Sequence, residues 1–302
     1  MADASLGVKE GFRSGFVSIV GRPNVGKSTL LNALLNRKVA ITSSRPQTTR
    51  NAIRGVLTGE DWQMVFIDTP GLHKPKTALG TRLNDVVRNT LKEVDAIVFM
   101  VDATQDIGSG DRYVAEEITK LGTPAICVVN KMDAAKHTQL VPQLAAAEEM
   151  GAWRQIIPIS AKDGRNVDKL QELLVSLLTE GPQYYPNDVF TDQPREFLVG
   201  EIVREKALEL TRQEVPHSIA VQIEELVDRE DGVTEIHAIV FVERDSQKGI
   251  VIGKGGSLLK EIGTRARREL EWILGTKIFL RLQVKVAKDW QRDPQYVSRL
   301  GY

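Results

Sequence analysis

Gly21-Arg22-Pro23-Asn24-Val25-Gly26-Lys27-Ser28 is the stretch that decides the fold of this chain. It follows an apolar run, Phe16-Val17-Ser18-Ile19-Val20, and opens into Thr29 to Leu35. That order predicts a strand, a glycine turn and a helix, the setting that a G-x-x-x-x-G-K-S/T phosphate loop requires. Gly21 and Gly26 let the backbone curl so that successive N–H groups converge on phosphate oxygens. The helix starting near Lys27 adds the positive end of its dipole. Lys27 is placed to reach the β- and γ-phosphates, and the Ser28 hydroxyl to ligate Mg²⁺.

A phosphate loop alone does not separate ATP from GTP. Downstream, Ala125 to Val129 is an apolar run ending in Asn130-Lys131-Met132-Asp133. At the end of a buried strand, an N-K-x-D sequence favours guanine. The Asp133 carboxylate can accept from guanine N1–H and the exocyclic amine, whereas adenine would leave it unpaired. Asn130 and the aliphatic stem of Lys131 are expected to tie this loop to the phosphate loop and cover the base. Met64 to Ile67 leads into Asp68-Thr69-Pro70-Gly71, followed by Leu72. Asp68 would hold a Mg²⁺-bound water there, and the Gly71 N–H would meet a γ-phosphate. Ile156 to Ile159 ends in Ser160-Ala161-Lys162, whose backbone would contact guanine O6. Four motifs, each closing a predicted strand, match the rule that open α/β sheets bind ligands at the carboxyl ends of their strands. The predicted site is therefore Gly21 to Ser28, Asp68 to Leu72, Asn130 to Asp133 and Ser160 to Lys162.

The chain has 302 residues, enough for about two domains. Its net charge is +0, so overall charge names no partner, and its one cysteine, Cys127, excludes an internal disulfide framework. The N-terminus lacks a basic-then-apolar signal pattern, and no apolar stretch approaches the ~20 residues of a membrane span. Strands alternate with helices from Phe16 to Leu178, the pattern of a doubly wound, mostly parallel sheet, with Asp95 to Asp102 as a central strand. Helical patterns fall near Leu79 to Glu93, Asp111 to Leu121, Leu140 to Met150 and Val167 to Leu178. Gly181 to Asp188 is rich in turn residues and reads as a linker.

Beyond it the order of elements changes. Arg195 to Leu210 reads as a helix, His217 to Glu224 and Thr234 to Phe241 as strands joined through Asp231-Gly232, Ser257 to Leu274 as a helix and Lys277 to Val286 as a strand. Ile250-Val251-Ile252-Gly253-Lys254-Gly255-Gly256 lies between two helices, giving α-β-β-α-α-β overall. This matches the type II KH arrangement, a smaller α+β domain whose G-x-x-G loop clamps a single-stranded nucleic-acid backbone. Ile250, Val251 and Ile252 are expected to line the groove for bases, with Gly253, Lys254, Gly255 and Gly256 at the backbone. Charge follows the loop. Phe241 to Tyr302 carries 13 Lys+Arg against 7 Asp+Glu, a balance of +6, while Thr191 to Val240 carries 5 against 12, a balance of −7. Arg281 and Lys285 share one strand face, which adds a basic stripe to the expected RNA footprint.

A P-loop domain joined to a KH module resembles the Era family of GTPases, from Gly15 to about Asp293. The resemblance implies boundaries at 1–14 for a tail, 15–180 for the GTPase domain, 181–193 for a linker, 194–293 for the KH domain and 294–302 for a second tail. It makes Gln47-Thr48-Thr49-Arg50 the first switch, with Thr49 the favoured Mg²⁺ ligand of the Thr pair. Lys27, Thr49, Asp68 and Gly71 become the catalytic set, and Ser28, Thr49 and Asp68 the metal set. Ras-like proteins place a water-orienting Gln where Leu72 stands, followed here by His73, to which no role falls, so hydrolysis by this chain alone should be slow. In related GTPases an Asn in the phosphate loop accompanies activation by K⁺. Asn24 has that place; the alternative is that its side chain merely caps the loop.

By the same resemblance the chain is a monomeric factor for maturation of the small ribosomal subunit, binding the 3′ region of small-subunit rRNA. It would be cytoplasmic, with peripheral membrane contact. Two other readings stay open: an RNA-binding chaperone whose GTP site is structural, and a relative of the tRNA-modifying GTPases.

Overall fold

The computed structural model describes residues 10–43, 48–71, 78–211 and 215–300. They form two compact units: the chain passes from the first to the second after Asp192, and the described residues of the short segments Ile41–Thr48 and Pro75–Arg82 are also grouped with the second.

The first unit holds β1 (Arg13–Gly21), α1 (Lys27–Leu35), β2 (Ile53–Thr58), β3 (Trp62–Asp68), α2 (Ala78–Leu91), β4 (Ala96–Asp102), α3 (Ser109–Thr119), β5 (Ala125–Asn130), α4 (His137–Glu148), β6 (Gln155–Pro158), α5 (Val167–Leu177) and β7 (Thr179–Glu180). The sheet runs β2-β3-β1-β4-β5-β6, with β7 on β1. Pairing is parallel from β3 through β6 and antiparallel for β2 on β3 and β7 on β1. β4 is buried along its whole length, as a central parallel strand covered on both faces must be. Phe99, Val101, Cys127 and Val129 share a core with Val87, Val114, Ile118 and Ala147 of α2, α3 and α4. Burial raises the Cys127 thiol to about 12, which makes it inert core filling. The parallel order puts the ends of β1, β3, β4, β5 and β6 along one edge, and every candidate nucleotide motif with them.

Two features of this unit were not legible beforehand. β2 was not expected; it is six residues long and pairs antiparallel with β3. The stretch read as a linker is instead a strap on the sheet. Val56 N donates to Phe190 O at 2.9 Å, Thr191 Oγ1 donates to Arg54 O at 2.7 Å, and Arg54 pairs with Asp192 at 2.9 Å. Gln63, fully buried in β3, spends its whole amide on this strap and its own hairpin. Nε2 donates to Tyr185 O and Thr58 Oγ1, while Oε1 accepts from Tyr184 N and Tyr185 N, all at 2.8 to 2.9 Å. The strap thus covers the β2 edge, which would otherwise offer open backbone groups.

The second unit holds α6 (Arg195–Leu210), β8 (Ala220–Asp228), β9 (Val233–Val242), α7 (Asp245–Ile252), α8 (Ser257–Leu274), β10 (Lys277–Val286) and α9 (Pro294–Arg299). The sheet order is β10-β9-β8, with β10 parallel to β9. Val199, Ile202 and Val203 of α6 and Ile262, Ala266 and Leu270 of α8 pack on Ile236, Val240, Ile278 and Val284 of the sheet. β8 starts at Ala220 because Val215–Ser218 forms a 3₁₀ turn, whose Ser218 carbonyl accepts from the buried Trp290 indole at 2.9 Å. The segment expected as a C-terminal tail forms α9. Asp293 caps it by accepting from Gln295 N and Tyr296 N, and Val297 is buried.

Candidate nucleotide and nucleic-acid sites

At the end of β1 the chain turns through Asn24 (φ 67°) and Gly26 (φ 103°) before α1 begins at Lys27. Gly26 leaves no room for a side chain: a Cβ there would stand 2.3 Å from Asn130 Nδ2 and displace it from Val25 O. The Lys27 ammonium curls back over the loop and donates to Gly21 O at 3.2 Å and Arg22 O at 3.0 Å. Burial lowers its pKa to about 8, with Asp68 opposing the shift. Such a cation lacks a full counter-charge, which a polyphosphate would provide. Arg22 turns away from this point, its Nε donating to the buried Asp111 carboxylate of α3 at 2.7 Å.

Three oxygens meet beside Lys27. Ser28 Oγ lies 2.9 Å from Thr49 Oγ1 and donates to Asp68 Oδ2 at 2.7 Å, and Thr49 Oγ1 stands 3.3 Å from the same carboxylate oxygen. Asp68 Oδ1 is buried and has no hydrogen-bond partner among the described residues. Burial also pushes the Asp68 carboxyl up, with Lys27 and the two hydroxyls opposing. Hard oxygen donors around an orphaned buried carboxylate oxygen fit a Mg²⁺ ion with its own waters. Thr69 Oγ1 ties the strand end to Ile19 O at 2.9 Å. Gly71 abuts the phosphate loop so closely that a Cβ would lie 2.7 Å from Pro23 N. Leu72, His73 and Gln47 lie outside the described residues.

The base loop is joined to the phosphate loop by two bonds. Asn130 Nδ2 donates to Val25 O at 2.8 Å, and Lys131 Nζ to Asn24 O at 2.7 Å. Asn130 Oδ1 accepts from Ala161 N at 3.0 Å, which draws the Ser160-Ala161-Lys162 turn against it. Ser160 Oγ donates to Asp133 Oδ1 at 2.8 Å, and Met132 N to Ile159 O at 3.1 Å. The four motifs named in the sequence therefore form one connected site. Sequence reasoning missed Asn166, whose side chain reaches Pro158 O at 2.8 Å and the Met132 sulfur at 3.9 Å. It also missed Asp102, which pairs with Lys131 at 2.6 Å. The available signal for Asp102 was its place: it ends β4 in register with Asn130.

In the second unit, a groove of about 550 Å³ runs between α8 and β10, lined by Gly256, Leu259, Lys260, Gly263, Arg267 and Leu282 among others. Gly253 caps α7, and Lys254, Gly255 and Gly256 lead into α8 at the mouth of the groove. Ile250 is 48% exposed and Ile252 half-buried, but Val251 is fully buried in the core. Val251 therefore cannot line a surface for bases: the apolar run is the end of a helix, and only part of its circumference is open. Arg281 and Lys285 are not brought to this groove either. Leu280 and Leu282 line it, and strand alternation sends Arg281 and Lys285 to the other face of the sheet, where Lys285 pairs with Glu224 at 3.4 Å. Lys260, Thr264 and Arg267 of α8 supply polar and basic groups there instead, at the helical i, i+4, i+7 spacing.

Residues 16–131 match the family described as 50S ribosome-binding GTPase, and residues 214–291 match the KH domain family. The chain is 53% identical over 296 residues to GTPase Era of Mycolicibacterium smegmatis, covering 96% of this chain and 99% of that one. It is similar to the crystal structure of Aquifex aeolicus Era bound to GDP·AlF₄⁻, at 43% identity and a TM-score of 0.93, over 96% of this chain and 99% of that one. The same identity, TM-score and coverage hold for a structure of Era in complex with MgGDPNP and nucleotides 1506–1542 of 16S ribosomal RNA.

Proposed function

This chain belongs to the Era family of GTPases, and we propose that it is a GTP-operated assembly factor of the small ribosomal subunit that grips the 3′ region of small-subunit rRNA in its α8/β10 groove. One observation carries the switch over a structural nucleotide site. The Ser28 and Thr49 hydroxyls converge within 3.3 Å of Asp68 Oδ2, and the other oxygen of that carboxylate, Oδ1, is buried with no hydrogen-bond partner among the described residues. A site serving only to stabilise the fold needs no residue such as Thr49, drawn from a separate loop to the metal position.

Ser28, Thr49 and Asp68 would hold Mg²⁺, which supplies charge neutralisation across the β- and γ-phosphates. Lys27, held among the loop carbonyls, gains its counter-charge from the same oxygens. The backbone N–H of Gly71, pressed against Pro23, would report the γ-phosphate. Asp133, steadied by Ser160, would accept from the guanine edge. Loss of the γ-phosphate removes what orders Thr49 and Gly71, and these segments relax. Asn24, in a left-handed turn of the phosphate loop, would be the K⁺ ligand, and a K⁺ ion held there would supply charge neutralisation in place of an activating arginine.

Lys260 and Arg267 on the groove wall, and Lys254 in the loop that leads into it, would meet the RNA backbone while bases lie on Leu259, Leu280 and Leu282. The Era structure with rRNA nucleotides and MgGDPNP supports this reading of the two sites. Among the described residues no helix is long and apolar enough to cross a membrane. We place the protein in the cytoplasm as a monomer; peripheral membrane contact rests on the family resemblance alone.

The test is RNA affinity for a 3′-terminal small-subunit rRNA oligonucleotide with a GTP analogue, with GDP and without nucleotide. The proteins are wild type, Thr49→Ala and Lys254→Asp/Gly255→Asp. Nucleotide-dependent binding that Thr49→Ala levels and the double variant abolishes is expected. Binding that ignores the nucleotide in wild type would leave an RNA chaperone with a structural GTP site.

A further inference from the structure

Asp102 stands outside every motif of the sequence, yet it is the most completely bonded carboxylate at the nucleotide edge. It closes β4 and is 3% exposed. Oδ1 accepts from Thr104 N at 2.9 Å and Thr104 Oγ1 at 2.6 Å, and Oδ2 from Lys131 Nζ at 2.6 Å. Burial works to raise this carboxyl, but the bonds from Lys131 and Thr104 outweigh it and hold the group below the usual carboxylate range. It is therefore an anion across neutral pH. Lys131 sits in a left-handed conformation (φ 68°) that a lysine adopts only when its surroundings enforce it. The backbone there is held by Met132 N donating to Ile159 O and by Ala134 N and Ala135 N donating to Lys131 O, while Asp102 and Asn24 O hold the ammonium from two sides.

We propose that Asp102 is a positioning residue for guanine nucleotides: it anchors the Lys131 ammonium so that the aliphatic stem stays stretched between base loop and phosphate loop as a wall for the base. This rests on the base-loop reading above. Asp102 itself touches no nucleotide and acts through Lys131.

The chemistry predicts a loss that depends on Lys131. Asp102→Asn keeps an acceptor for Thr104 but turns an amide N–H toward an ammonium, donor against donor, and Lys131 is released. If the ammonium is removed first, by Lys131→Met, the Asp102 carboxylate keeps its bonds from Thr104 but loses its cation. In that background Asp102→Asn has no ammonium to release, so nucleotide affinity no longer suffers from it. A residue that merely supported the end of β4 would cost the same in both backgrounds.

The experiment measures Kd of the full-length protein for GDP, IDP and ADP. IDP lacks the exocyclic amine that Asp133 reads but presents the same ring face to Lys131. Asp102→Asn is expected to weaken GDP and IDP by the same factor, about tenfold. In the Lys131→Met background it should leave both unchanged or tighten them. Thr104→Val, which loosens Asp102 without altering its charge, should give a smaller loss of the same pattern and serves if Asp102→Asn fails to fold. Equal losses in both Lys131 backgrounds would overturn the proposal, as would no loss in the wild-type background. A change in the IDP:GDP ratio would also overturn it, since that means Asp133 has moved. A wild-type protein that binds ADP as well as GDP is a different failure, of the base-loop reading itself.

Discussion

Lys27 shows how much a single residue type carries and how much depends on its surroundings. Its place in a G-x-x-x-x-G-K-S sequence announced phosphate chemistry, but nothing in that pattern said how dry its site is. Burial takes its pKa from 10.5 to about 8 in the nucleotide-free protein. Phosphate oxygens favour the charged form, so the bound-state value is higher. Between the two values, binding must take up a proton, and affinity falls as pH rises. The Kd for GDP should therefore be flat below pH about 8 and rise above it, approaching tenfold per pH unit, in titrations from pH 6.5 to 9.5. A profile flat through that range would show that Lys27 stays charged without nucleotide. Asp102 makes the complementary point. Asp is common at strand ends, and only the folded register sets it against Asn130 and puts Lys131 within 2.6 Å.

At the scale of elements, α6, α8 and β10 span the residues that periodicity predicted, because each is long and regular and the two helices are bounded by Pro194 and Thr211 and by Gly256 and Gly275. β2 escaped because six residues interrupted by Gly55 carry too little alternation to stand out. The loop between α7 and α8 was legible as G-x-x-G, but its glycines are not equivalent. Gly253 (φ 73°, ψ 171°) occupies a region essentially closed to other residues, and a Cβ there would lie 2.8 Å from Leu258 Cβ and 2.9 Å from Leu258 N. Gly255 (φ 61°, ψ 24°) is an ordinary left-handed turn with open space around it. Urea unfolding should find Gly253→Ala destabilising by about 2 kcal/mol or more and Gly255→Asn by about 1 kcal/mol or less. Equal costs would mean that the contact with Leu258 does not hold the loop. Substitutions at Lys254 and Gly255 therefore probe RNA binding with the loop's fold retained, and substitutions at Gly253 do not.

For the whole molecule, the strap from Gly181 to Asp192 makes domain limits measurable. Gln63 makes four hydrogen bonds, three of them to Tyr184 and Tyr185, and Val56 N is satisfied by Phe190 O. A fragment ending at Asp192 should bind GDP and unfold cooperatively. One ending at Glu180 loses those partners and should melt lower by at least about 5 °C; calorimetry with saturating GDP decides, and identical melting would make the strap a passive linker. The chain read as a sequence determined the two-domain order, the doubly wound sheet, the phosphate and base loops and the G-x-x-G module. Each of these is written in local periodicity or in residues close together along the chain. Tertiary structure alone decided that Gly181 to Asp192 lies on the β2 edge, that Val251 faces the core and that the groove opens between α8 and the even-numbered face of β10. It alone decided that Asp102 holds Lys131. These depend on which side of an element meets a partner distant in sequence, and composition and spacing do not encode that choice until the elements pack.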